Sequence, residues 1–144
     1  MIKFLIKLHQ APNLYIRNKI QKNGGNAMNK QAQMAKIAYN ALDEKKAEDI
    51  KVIDITEVSV MSDYFVIASA GSMTQMNALA DNVEEKLHKA GYGMQRKEGN
   101  QSSTWLLLDF GDVVIHIFNR DDRLFYDLER IWSDGKIIDP ELLK

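Results

Sequence analysis

The stretch Trp105–Phe118, WLLLDFGDVVIHIF, leaves the chain the fewest options. Two apolar runs, Trp105–Leu108 and Val113–Phe118, flank the polar, glycine-bearing break Asp109-Phe110-Gly111-Asp112. Runs this short, rich in Val, Ile, Leu and aromatics and separated by turn-forming residues, predict a β-hairpin. The second run is apolar at Val113, Ile115 and Ile117 and equally at Val114 and Phe118. Both of its faces are therefore expected to be covered, as in a central strand with helices on each side. A hairpin this apolar belongs inside a larger sheet.

The flanking chain supplies one. From Asn29 the pattern is helical, with Met34, Ile37, Ala38, Ala41 and Leu42 at three- and four-residue spacing, and Lys45 and Lys46 suit the negative end of its dipole. Ile50–Ile55 and Tyr64–Ala70 are strand candidates, separated by a polar, irregular segment. Ser72-Met73-Thr74-Gln75 has the form of a capping box. The helix it opens carries Met76, Leu79, Ala80, Val83 and Leu87 on one face, and Gly91 stops it. Tyr92–Lys97 is a possible short strand, and Glu98–Ser103 a polar loop. After Phe118, Asn119–Asp122 reads as a polar turn. Leu124, Phe125, Leu128, Ile131 and Trp132 then form an amphipathic helix, and the tail from Ser133 is expected to trail along the surface. Strand–helix–strand units with an appended hairpin predict a mixed β-sheet flanked by helices, in an α/β or α+β domain.

The length of 144 residues suits one domain with a proper core, and no internal repeat or domain boundary follows Met28. The absence of cysteine excludes disulfides, thiolate zinc sites and a cysteine nucleophile, and fits a reducing cytoplasm. No apolar run approaches the roughly 20 residues that span a bilayer. Charge is uneven. Residues 1–27 hold Lys3, Lys7, Arg17, Lys19 and Lys22 and no acid, whereas the remainder carries 14 basic against 20 acidic side chains, a net of −6. An acidic body is poorly suited to affinity built on phosphate contacts and better suited to a basic protein partner. Residues 1–27 are expected to lie outside the folded domain, which spans 28–144. Interruption by Lys3 and Lys7 argues against a secretory signal. An organelle targeting segment, which would place the protein in a mitochondrion or plastid rather than a bacterial cytoplasm, is one reading. Translation starting at Met28 is the preferred one, since Gly24-Gly25 just upstream can be encoded by a ribosome-binding site.

Few residues suggest chemistry. Gly71-Ser72 lies between a strand and a helix, where free amides can hold an anion, but Ser72 is explained fully as an N-cap. Asp109 and Asp112 are the strand-associated carboxylate pair that magnesium would require, yet they straddle a turn, where Asp is favoured anyway. Asp121 and Asp122 suit the start of the last helix. His116, between apolar neighbours on a strand, fits a hydrogen-bonded structural role. No nucleophile–base spacing, zinc motif, phosphate-binding loop or dinucleotide fingerprint is present. Trp105 follows the polar loop and is either an interface anchor or half-buried core. Arg123 and Tyr126, one helical turn apart, either share its neighbourhood or decorate a solvated face.

These residues resemble the ribosomal silencing factor family, also called Iojap-like. The matching stretches run from Asp63-Tyr64-Phe65-Val66-Ile67-Ala68-Ser69 through Ser72-x-x-Gln75 and Ala80-Asp81-Asn82-Val83 to Glu98-Gly99 and Trp105. They continue with Leu108-Asp109-Phe110-Gly111-Asp112-Val113-Val114-Ile115-His116 and Arg123-x-x-Tyr126-x-Leu128-Glu129-x-x-Trp132. Ala70-Gly71 departs from the family, which more often has Gly followed by Asn there.

The resemblance implies a relative of the nucleotidyltransferase fold without its metal dyad, because Asp109 comes 37 residues after Ser72 rather than shortly after it. It implies no catalysis and no cofactor. The implied partner is the large ribosomal subunit, met through its universal ribosomal protein number fourteen on the face that receives the small subunit. Occupying that face blocks subunit joining and lowers translation when nutrients are scarce. Carried over by motif, Trp105 is the expected anchor and Leu107 an apolar contact. Glu98, Asp109 and Asp112 would pair with basic side chains, and Arg123 and Tyr126 would lie at the rim, unless Asp109 and Arg123 pair with each other. A free homodimer through the same apolar surface is a further expectation. The competing reading is a magnesium-dependent nucleotidyltransferase built on Gly71-Ser72 and Asp109/Asp112.

Overall fold

The structure, a computed structural model, describes residues 29–57, 59, 62–126, 135–139 and 141, with the side chains of Phe125 and Tyr126 excepted. The expectations for residues 1–27, and for the helical stretch Leu128–Trp132, fall outside these residues.

Helix α1, Lys30–Glu44, opens on Asn29, whose side chain accepts from the amide of Ala32 at 2.7 Å. Its predicted apolar face is buried at Met34, Ala38, Ala41 and Leu42. Strand β1 spans Glu48–Asp54, starting two residues earlier than the apolar pattern indicates, and β2 spans Tyr64–Ala70 as read from the sequence. Helix α2, Met73–Lys89, is capped by Ser72, whose Oγ accepts from the amide of Gln75 at 3.1 Å. The return half of the capping box is shifted by one residue. Gln75 Oε1 accepts from the amide of Gly71 at 3.2 Å, while its Nε2 donates to the carbonyl of Lys46 at 3.1 Å. One side chain thus ties the start of α2 to the exit from α1. At the other end Gly91 adopts φ +92°, and the amides of Gly91 and Tyr92 return to the carbonyls of His88 and Leu87, each at 2.9 Å. That paired return is the left-handed helix stop expected of Gly91.

Strand β3 is only Arg96–Glu98; β4 is Trp105–Asp109 and β5 Val113–Asn119. With β6, Lys136–Ile138, they form a six-stranded mixed sheet in the order β3-β4-β5-β2-β1-β6. Only β2 and β5 run parallel; every other neighbouring pair is antiparallel. The fold is α+β, and β5 sits inside the sheet as its two-sided apolar pattern requires.

Helices α1 and α2 pack together on one face of the sheet, against Val52, Val66, Ala68, Leu106, Leu108, Val113, Ile115 and Ile117. The opposite face gathers Ile53, Phe65, Ile67, Trp105, Leu107, Val114 and Phe118. No polar turn follows Phe118, because β5 runs directly into α3, Arg120–Tyr126. Asn119 serves both elements, ending the strand and accepting from the amide of Asp122 at 2.8 Å through its side chain. The tail does not simply trail: Lys136–Ile138 pairs with Val52–Asp54, satisfying backbone groups that an edge strand would otherwise leave open. Leu124, expected on an apolar helix face, is 79% exposed.

Candidate interaction face

Strand register decides which predicted residues meet. Glu98 stands opposite Leu107 and Leu107 opposite His116, while Trp105 stands opposite Phe118 and Asp109 opposite Val114. Laterally paired residues share a face. Glu98, Trp105, Leu107 and Asp109 therefore all lie on the face that α1 and α2 leave alone. Four of the seven residues carried over by motif come together there. Glu98 and Asp109 are half-buried at its border, whereas Trp105 is 5% and Leu107 0% exposed. In the free chain Trp105 is thus core rather than a protruding anchor, and Leu107 presents no surface.

The chemistry of this face centres on a residue to which the sequence assigns only a structural role. The Trp105 indole Nε1–H donates to His116 Nδ1 at 3.1 Å, and the indole stacks on Phe118 with ring centroids 4.8 Å apart. The His116 ring meets the Phe65 ring edge-on at 4.7 Å. Complete burial pushes the His116 pKa down to about 3, because the imidazolium would lose its hydration without gaining a counter-charge. The ring is neutral, and since Nδ1 accepts, the proton sits on Nε2.

The remaining candidates divide. Asp109 belongs to the hairpin turn: its Oδ1 accepts from the amide of Gly111 at 2.8 Å, and the amide of Phe110 closes on the carbonyl of Val113 at 2.9 Å. Gly111 has φ +85°, the sign that the first central residue of a type II′ hairpin turn needs. Asp112 turns away toward α1, where Gln31 Nε2 donates to its Oδ2 at 3.4 Å, and its carbonyl accepts from the amides of Asp63 and Tyr64.

Arg123 is buried at the far end of the sheet. Its guanidinium donates to Ser69 Oγ and the carbonyl of Glu48, both at 3.3 Å, and pairs with Asp49 at 3.3 Å. Beside it Arg120 makes a two-pronged ion pair with Glu48, at 2.9 and 2.5 Å, which lowers the Glu48 pKa through that hydrogen bond. An Asp109–Arg123 pair is therefore excluded. Asp109 registers with Val114 and Ser69 with Phe118, about 13 Å apart along β5 at the usual strand rise. The Tyr126 expectation falls outside the described side chains.

Parallel pairing also separates the two halves of the competing site. Gly71-Ser72 follow the C-terminal end of β2, whereas Asp112 lies beside Tyr64 at its start, and Asp109 is on the same side. The strand between them spans about 20 Å. Among the described residues no group of three or more His, Asp or Glu is arranged to hold a metal ion.

Comparison with known proteins agrees with the motif resemblance. A family model described as "Ribosomal silencing factor during starvation" matches residues 28–144. The ribosomal silencing factor of Bacillus subtilis (strain 168) is 38% identical over 109 residues, which span 76% of this chain and 92% of that protein. The chloroplastic protein Iojap of Arabidopsis thaliana is 35% identical over 107 residues, 74% of this chain and 43% of that one. A crystal structure of a Chromobacterium violaceum protein aligns with a TM-score of 0.69 at 35% identity, covering 70% of this chain and 84% of that chain.

Proposed function

The chain belongs to the ribosomal silencing factor family, and on that premise we propose that it binds the large ribosomal subunit and blocks its joining to the small one. Translation is then repressed by occupancy, with no turnover, when nutrients are scarce. The partner on the subunit is universal ribosomal protein number fourteen. The observation that carries this reading is the register that sets Glu98, Trp105, Leu107 and Asp109 on one sheet face, opposite α1 and α2. Two half-buried carboxylates border an apolar interior there, and the chain from Met28 onward has a net charge of −6. A basic protein surface complements both features.

Residues 28–144 act as the functional unit, in the cytoplasm where bacterial ribosomes work. Because Trp105 and Leu107 are buried in the free chain, the first contact falls to the border residues Glu98 and Asp109. The apolar residues beneath define the shape that the partner meets. The same face accounts for a homodimer of the free protein, which would compete with subunit binding.

Co-sedimentation of the full chain with separated and then mixed subunits tests the proposal. Binding to large subunits alone, with loss of the joined ribosome peak, is the expected result. A chain that stays at the top of the gradient with every subunit preparation would overturn it.

A further inference from the structure

We propose that His116 is the positioning residue for Trp105: its bare Nδ1 fixes the indole orientation, and with it the shape of the sheet face that lies beneath Glu98 and Asp109. This rests on the reading above, in which the face around Trp105 is the one that docks.

The geometry supplies each step. A buried indole N–H is a donor only and needs an acceptor, and His116 Nδ1 lies 3.1 Å from it. Trp105 and His116 are diagonal neighbours across the β4–β5 pair, since Trp105 registers with Phe118 and Leu107 with His116. The bond therefore crosses strands and ties the indole to β5 as well as to β4.

The imidazole is itself held by neighbouring rings, edge-on to Phe65 at 4.7 Å and stacked with Phe118 at 6.4 Å. Phe118 also stacks with the indole, at 4.8 Å. Burial keeps the histidine neutral, which leaves Nδ1 free of a proton and able to accept. The Trp105 donor is thereby consumed inside the chain. The indole plane beneath the border residues is thus held at a fixed angle by a residue that makes no contact with the partner.

Isotope-labelled wild type, His116→Leu, His116→Asn and His116→Gln would be compared by the Trp indole N–H signals and by co-sedimentation with large subunits. Trp132→Phe assigns the two indole signals. Asn places a carbonyl where Nδ1 was; Gln places one nearer the Nε2 position; Leu fills the space with no acceptor.

The expected result is an indole signal protected from solvent exchange in wild type and His116→Asn, and lost protection in His116→Leu and His116→Gln. Subunit affinity should follow the indole: within about threefold of wild type for Asn, and weaker by on the order of tenfold for Leu and Gln, the equivalent of one lost hydrogen bond at the upper end of its ordinary range. Unchanged indole protection in His116→Leu, or lost protection with undiminished affinity, would overturn the proposal. Should His116→Leu fail to fold, the Asn and Gln variants decide by themselves, and equal affinity of those two would overturn it. Wild type that does not sediment with large subunits sinks the functional reading itself, whatever the indole signals do.

Discussion

The side-chain amide of Asn82, on α2, donates to the carbonyl of Ala41 on α1 at 2.8 Å in a buried contact between the two helices. Ala41 lies in the last turn of α1, where carbonyls have no partner within their own helix. Asn82 thus finishes α1 from outside. Asn82→Ala is expected to lower stability by about 1–3 kcal/mol, the usual penalty for orphaning a buried acceptor. Urea unfolding measures it, and an unchanged midpoint would show that the contact contributes nothing.

Gly111 holds the hairpin turn at φ +85°, and a Cβ there would stand 2.5 Å from Gln95 Nε2. Gly111→Ala should cost roughly 1–2 kcal/mol from the unfavourable φ, on top of the displacement of Gln95. The Gln95 terminus is flexible and exposed, so adding Gln95→Ala should recover only the smaller, steric part. Full recovery in the double variant would show that the backbone angle is harmless.

Acid sensitivity should carry the signature of His116. Its folded pKa of about 3 lies below the ordinary 6.5, so between those values the unfolded chain takes up a proton that the folded chain refuses. The contribution is whole above pH 6.5 and drains away as pH falls toward 3, by roughly 5 kcal/mol at full extent. Glu48, whose pKa is lowered by Arg120, weakens the fold in the same direction below its ordinary value of 4.5. Comparison with His116→Asn isolates the histidine: the variant should show a shallower loss of stability between pH 6 and 4. Parallel curves for the two proteins would contradict the assigned protonation.

Two arginines one turn apart should behave differently. Arg123 is 7% exposed and bonded to Ser69, Glu48 and Asp49, so Arg123→Met is expected to destabilise by about 1–3 kcal/mol through lost buried hydrogen bonds. Arg120 pairs with Glu48 in solvent, where salt screens the attraction. Arg120→Gln should barely move the thermal midpoint at physiological salt. A larger effect for Arg120 than for Arg123 would reverse this ranking.

Because Ser72 and Asp109 stand at opposite ends of β2, nucleoside triphosphate with magnesium should leave the melting temperature unchanged. A ligand that binds only the native state raises it in proportion to concentration over Kd. A dose-dependent rise would reopen the enzymatic reading.

Much of this architecture was legible because its determinants are local. The turn at Gly111-Asp112 sets Trp105 against Phe118 by counting alone, and from that register the Trp105–His116 diagonal follows. Ser72 and Gly91 mark the ends of α2 by chemistry that acts within four residues. Elsewhere the deciding partner is distant. Strand alternation gives the face on which Trp105 lies, but whether that face is covered depends on segments far away in the chain. Asn119 reads as a turn former, and its double service to β5 and α3 appears only once the strand is paired along its length. Lys136–Ile138 is too short to announce a strand and becomes one because β1 has an open edge. Asp112 lies 81 residues from Gln31, so their contact has no local sequence signature.

The parallel β2–β5 pair has a consequence for synthesis. Strand β2 is apolar on both faces, yet its β5 partner is encoded some 49 residues later, from Tyr64 to Val113. At about 5–20 residues per second, one edge of β2 waits several seconds on the nascent chain after the β1–β2 hairpin can form. That edge of β2 stays unpaired on the nascent chain until the last third of the sequence emerges.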